Sequence, residues 1–205
     1  MRIIDIENWE RKQHFEHFNA FEDPYWAVVI PFDLTKAYEK SKQEERSFFS
    51  IYLHACMKAI NEVENFKYRI IDDKIVIYDV IHASATILRA NNTFACSYIE
   101  YDNELEVFER NLMKEKQRIE NSNALFPPNE GIDCIYCSAM PWFNFTGHKE
   151  PFSGAKMSVP MLAFSALEQV GGKRMMNVSI SVNHALVDGY HMGLFSNKFQ
   201  NYLNT

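Results

Sequence analysis

Residues 181–195 read SVNHALVDGYHMGLF. The run begins as the end of MMNVSISVN (175–183), where apolar and polar residues alternate as a half-buried strand requires. From Gly189 onward Met192, Phe195, Phe199 and Tyr202 recur at helical spacing, which predicts a helix to about residue 203. His184 therefore sits in a strand-to-helix connection, where a side chain on a rigid scaffold can face a cleft. An imidazole, with an ordinary pKa near ~6.5, can exchange protons there as a general base; equally, it can be a hydrogen-bonded structural residue. Asp188 suits the N-cap of the following helix. His184, Asp188 and His191 offer three metal-ligating side chains by count, but Gly189 breaks any regular helical spacing, and no metal is expected.

Working outward, the paired glycines of VGGKR (170–174) supply the positive φ of a tight hairpin that joins this strand to SVPMLAFSALEQ (158–169). IDCIYCSAM (132–140) is a further strand, preceded by a loop at 121–131. KYRII (67–71), KIVIYDV (74–80), HASATIL (82–88) and TFACSYIEY (93–101) are short strands between turn residues, which predicts an antiparallel portion of sheet. PYWAVVIPFDLT (24–35) reads as a strand begun by Pro24 and interrupted by Pro31. Helices are predicted over 6–19, with Trp9, Phe15 and Phe18 on one face, over 47–63 with Ser47 as N-cap, and over 103–120. Interspersed hairpins and helices predict one α+β domain over residues 1–205, a length that a single core supports.

The formal charge of −6, with no Lys/Arg run along a helix, argues against nucleic acid as a partner. No segment approaches the ~20 apolar residues of a membrane span and the N-terminus lacks a signal-peptide core, so a cytoplasmic protein without membrane contact is expected. Cys56, Cys96, Cys134 and Cys137 are too scattered for a disulfide scaffold. Cys134 and Cys137 form a C-x-x-C inside a strand-like run with no second pair, so they read as small buried residues.

Spacing alone leaves His184 and Asp188 undecided. The run NHALVDGYH, however, resembles the H-x-x-x-D-G signature of CoA-dependent acyltransferases, and its aromatic and second histidine resemble chloramphenicol acetyltransferases in particular. The opening IDIENWERKQHFEHF and the stretches IYLHACMKAIN, TFACSYIEYD, LFP and CSAMPWFNFTG follow in that family's order. The resemblance implies a mixed β-sheet flanked by helices in a two-layer sandwich. It implies acetyl-CoA as co-substrate, a hydroxyl of chloramphenicol as default acceptor, and a homotrimer with active sites at its interfaces. In the family the histidine matching His184 is the general base, and the hydroxyl attacks the thioester directly. The aspartate matching Asp188, beside Gly189, pairs with the arginine matching Arg11 and holds the loop. Breaking such a buried pair costs about 3 to 5 kcal/mol. Phe94, Phe18, Tyr25 and Trp26 fall in or beside segments that line the acceptor pocket; core packing explains Phe18, Tyr25 and Trp26 as well, whereas Phe94 closely matches a pocket phenylalanine of the family.

Several positions depart from the family. Gly147 stands where a serine usually donates to the oxyanion, which leaves Thr146 and Asn144 as nearby substitutes. Ala163 replaces a threonine, Pro24 a pocket cysteine, and Asn183 the histidine before the base. These changes keep open a different hydroxylated acceptor, or a weakly catalytic small-molecule-binding protein on the same scaffold. A dihydrolipoamide acyltransferase core shares the H-x-x-x-D-G signature, but the N-terminal segment matches the antibiotic-modifying branch.

Overall fold

The computed structural model describes residues 1–128, 131–151, 154 and 157–205; residues 129 and 130 of the expected loop lie outside it. The strands are β1 (Arg2–Ile3), β2 (Tyr25–Asp33), β3 (Tyr68–Ile71), β4 (Lys74–Ile77), β5 (His82–Leu88), β6 (Phe94–Cys96), β7 (Cys134–Ala139), β8 (Met161–Val170) and β9 (Lys173–Asn183). The α-helices are α1 (Lys12–Asn19), α2 (Thr35–Gln43), α3 (Phe48–Asn61), α4 (Leu105–Glu120) and α5 (Gly189–Leu203). Six strands form one sheet in the order β2-β9-β8-β7-β5-β6, and β1-β4-β3 form a smaller one. The large sheet is mixed: β5–β7 and β7–β8 are parallel, and the other pairs antiparallel.

Local chemistry explains most boundaries. Gly171 and Gly172, at φ 56° and 81°, close the β8–β9 hairpin, where a side chain would be strained. Ser47 caps α3 by accepting from the Ser50 amide. Pro31 does not interrupt β2 as expected from sequence: the strand runs through it, opposite Asn177. β2 is an edge strand, so the N–H that proline lacks is not needed by a second neighbour. The strand expected over 93–101 is shortened to β6, followed by a single bridge between Ile99 and Ala83. The sequence reading did not foresee α2, whose TKAYEKSKQ is mostly polar and buries only Ala37 and Ser41.

The core lies between the large sheet and helices α3 and α5, joined by contacts such as Phe32 with Phe199 and Tyr52 with Phe164. Along β5 and β7 the period of two is clear: Ala83, Ala85 and Ile135 are buried in this core, while Ser84, Thr86, Tyr136 and Ser138 line a cavity. Arg69 of β3 is wholly buried and donates to the carbonyls of Phe66, Tyr68, Ile132 and Cys134, tying the small sheet to β7. Burial pushes its guanidinium down to about 10.

Candidate active site

β2 accompanies β9 to its end, where Tyr25 pairs with Asn183, whereas the pairing with β8 stops at Ser181. The next residue, His184, is anchored through its own amide, which donates to the Pro24 carbonyl at 2.9 Å. The Pro24 carbonyl is thus the backbone acceptor that fixes the start of the turn. The His184 ring is stacked on Phe18 of α1 at 3.9 Å and 5°, and Trp26 lies 5.1 Å from it. Its Nδ1 is buried without a hydrogen-bond partner among the described residues.

The turn after His184 is held at every step. Asn183 accepts from the Ala185 amide through Oδ1 and donates through Nδ2 to Met157, both at 2.9 Å. Its carbonyl accepts from the amides of Leu186 and Val187. Asn65 donates to the Leu186 carbonyl and the Trp26 indole to that of Val187. The sequence reading gave Asn183 little weight as the replacement of a non-catalytic histidine. An asparagine at a strand end before a turn was the available signal, because its short amide competes well for nearby backbone groups.

Asp188 is the N-cap of α5 and accepts from the Tyr190 amide at 3.0 Å. Its other oxygen accepts from Arg11 Nη1 at 2.6 Å, across 177 residues of sequence. Arg11 and Asp188 thus meet as the family resemblance implies. Burial alone would raise the Asp188 carboxyl, but the hydrogen bond from Arg11 and the charges of His191 and Arg11 outweigh it and hold it below the ordinary carboxylate range. His191 Nδ1 lies 2.8 Å from Asp188 Oδ1 and 3.2 Å from the Asp188 amide nitrogen. The shorter contact requires a proton on Nδ1, since two lone pairs would repel at that distance; Nδ1 then donates to the carboxylate and has no lone pair left to accept from the Asp188 amide. Burial lowers His191 despite the neighbouring carboxylate. Gly189, exposed, follows the cap as the first residue of α5.

The four aromatics linked to the acceptor pocket do not gather in one place within a chain. Phe18 and Trp26 flank His184. Tyr25 and Trp26 line a cavity of about 320 Å³ together with His148, Glu150 and Ser181. The Tyr25 hydroxyl donates to the Val159 carbonyl at 2.7 Å, and burial raises it far out of the ionising range. Phe94 stands on β6 at the other edge of the sheet, 53% exposed. A second cavity, of about 280 Å³, is lined by Ser84, Thr86, Phe126, Tyr136, Ser138 and Glu150 among others, and His184 is not among its described lining residues.

Gly147 lies in the irregular stretch that follows β7, part of which runs beside β8. Here the β8–β9 register shifts between Phe164 and Leu167, and the freed Ala166 amide donates to the Phe143 carbonyl. Asn177 donates to the Phe145 carbonyl, and Asn144 Oδ1 accepts from the Phe145 amide. Thr146 and Gly147 are exposed, and a β-carbon at Gly147 would meet nothing within 4 Å. Ala163 is fully buried directly across from Ser179, whose hydroxyl has no partner among the described residues. No group of three or more metal-ligating side chains occurs among the described residues.

Known proteins resemble the chain over nearly its whole length. The family model described as chloramphenicol acetyltransferase matches residues 1–200. Chloramphenicol acetyltransferase 3 of Escherichia coli is 23% identical over 207 residues, covering 98% of this chain and 96% of that protein. A solved chloramphenicol acetyltransferase superposes with a TM-score of 0.87 at 28% identity, covering 98% of this chain and 99% of its own. A probable dihydrolipoamide acetyltransferase from Listeria monocytogenes superposes with a TM-score of 0.66 at 15% identity, over 99% of this chain and 93% of its own, a likeness of fold alone.

Proposed function

Because the chain belongs to the chloramphenicol acetyltransferase family, we propose that it transfers the acetyl group of acetyl-CoA to a hydroxyl of chloramphenicol. His184 removes the hydroxyl proton as the oxygen attacks the thioester carbonyl. The tetrahedral intermediate then collapses, the C–S bond breaks, and the proton on His184 returns to the departing thiolate. The observation that carries this reading is the rigid setting of His184. Its backbone is pinned to Pro24, its ring lies against Phe18, and the turn behind it is clasped by Arg11 and Asp188. Such a setting restricts an imidazole to one orientation, as a base acting on a bound hydroxyl requires. Phe94, Phe18, Tyr25 and Trp26 are assigned to the acceptor pocket, and Thr146 or Asn144 to the oxyanion.

A homotrimer follows from the same reading. Within one chain His184 is absent from the described lining of the hydroxyl-rich cavity on β5 and β7, which favours a base facing the cavity of a neighbouring copy. The trimer should sediment at three times the 24.0 kDa chain mass; a monomer with full activity would sink the idea. We assign the activity to the cytoplasm, where acetyl-CoA is made, with antibiotic resistance as its consequence.

The deciding experiment mixes purified protein with acetyl-CoA and chloramphenicol and follows thiol release and product mass. Acetylated drug is expected, and His184→Ala should lose essentially all turnover while its circular dichroism is retained. Near-normal turnover in that variant would refute the assignment of the base.

A further inference from the structure

The two cavities described above share one wall residue, Glu150, whose side chain is only 20% exposed. In the cavity of about 280 Å³ it is the sole charged side chain among the described lining residues, opposite the hydroxyls of Ser84, Thr86 and Ser138. Among the described residues its ionisable neighbour is the His148 ring, whose Nδ1 is 3.7 Å away, too far for a hydrogen bond. That Nδ1 is itself buried without a hydrogen-bond partner among the described residues. Lys149 and Asp23 border the second cavity, but neither lines the first.

A half-sheltered carboxylate with no direct donor among the described residues is costly to keep charged, and a donor carried by a ligand would relieve that cost. The hydroxyls can satisfy a hydroxylated compound, and the aromatic rings of Phe126 and Tyr136 can cover its apolar part. What the carboxylate adds is a demand for positive charge. Resting on the transferase reading of this site, we propose that Glu150 selects hydroxylated acceptors carrying a protonated amine near the reacting hydroxyl, the ammonium donating to its carboxylate. Burial raises the Glu150 carboxyl, with the His148 charge opposing, and a bound ammonium would favour the charged form in the same direction as His148.

The test compares two acceptors that differ in charge at one nitrogen. Chloramphenicol carries a neutral amide there, and the aminodiol left on removal of its dichloroacetyl group is an ammonium in mildly acidic buffer. In Glu150→Gln the ratio of kcat/KM for the aminodiol to that for chloramphenicol should fall tenfold or more relative to the wild type. An unmoved ratio, whether both constants fall together or neither changes, overturns the proposal. If neither compound is acetylated by the wild type, the transferase reading fails; the same ratio taken from calorimetric Kd values then decides the selectivity by the same tenfold criterion. Should Glu150→Gln fail to fold, wild-type binding of the aminodiol must weaken with added salt more than binding of chloramphenicol does, and an equal response overturns the proposal.

Discussion

On the proposed transferase reading the missing side chain at Gly147 removes an oxyanion donor, and the backbone there has no need of a glycine. Its φ is not among the positive glycine values, and an added β-carbon meets no atom within 4 Å. A serine should therefore fit without strain, and Gly147→Ser is expected to raise kcat tenfold or more with little change in KM, as one oxyanion donor is worth roughly 10²–10³ in rate. Stopped-flow thiol release checks this; an unchanged kcat would mean that another donor already serves the oxyanion. His184 was legible as a candidate from its place between an alternating strand and a capped helix. The full work done by Asn183 was not: the amides of Ala185, Leu186 and Val187 are local partners, but the Met157 carbonyl reaches its Nδ2 only after β9 and the distant residue 157 pack.

Between elements, the Arg11–Asp188 pair clasps the start of α1 to the start of α5. The side chains remain 16% and 28% exposed, so the cost of breaking the pair is below the roughly 3 to 5 kcal/mol of a fully buried one. Arg11→Ala should lower stability by about 1 to 3 kcal/mol, and Asp188→Asn, which retains a capping oxygen, by about 1 kcal/mol. Both should cut turnover at least tenfold, because the turn that orients His184 loosens. Urea melts and initial rates measure the two effects, and full activity with unchanged stability in either variant would contradict the clasp. Most helices and strands were readable from apolar spacing, including α5, whose bounds match. The polar α2 was not, since it is sustained by its neighbours rather than by an apolar stripe of its own. The continuity of β2 through Pro31 was likewise hidden, because whether a strand lies at an edge is a property of the sheet.

For the whole molecule, acidification should act in two windows. Burial lowers His54, His82 and His191, so the unfolded chain binds more protons than the folded one and stability falls as pH drops through ~6.5 toward the folded pKa values. Desolvation opposes ionisation of Asp33 and Asp188, but hydrogen bonds and cations win and hold both low, so their contribution is present above ~3.9 and is lost as pH falls through the folded values. Melting temperatures from pH 8 to pH 3 should decline in these two stages; no change between pH 7 and pH 5 would contradict the first. The amino-acid sequence by itself determined the family, the α+β class, the hairpin at Gly171–Gly172, and the imidazole with its cap, because each is written in local spacing or in motifs that keep their order along the chain. Tertiary structure alone decided that β2 lies beside β9 and delivers Pro24 to His184, and that His184 is not among the described residues lining the hydroxyl-rich cavity. It also decided that Glu150 is the wall shared by two cavities. Those relations join residues distant in sequence, and only strand order and packing bring them within reach of one another.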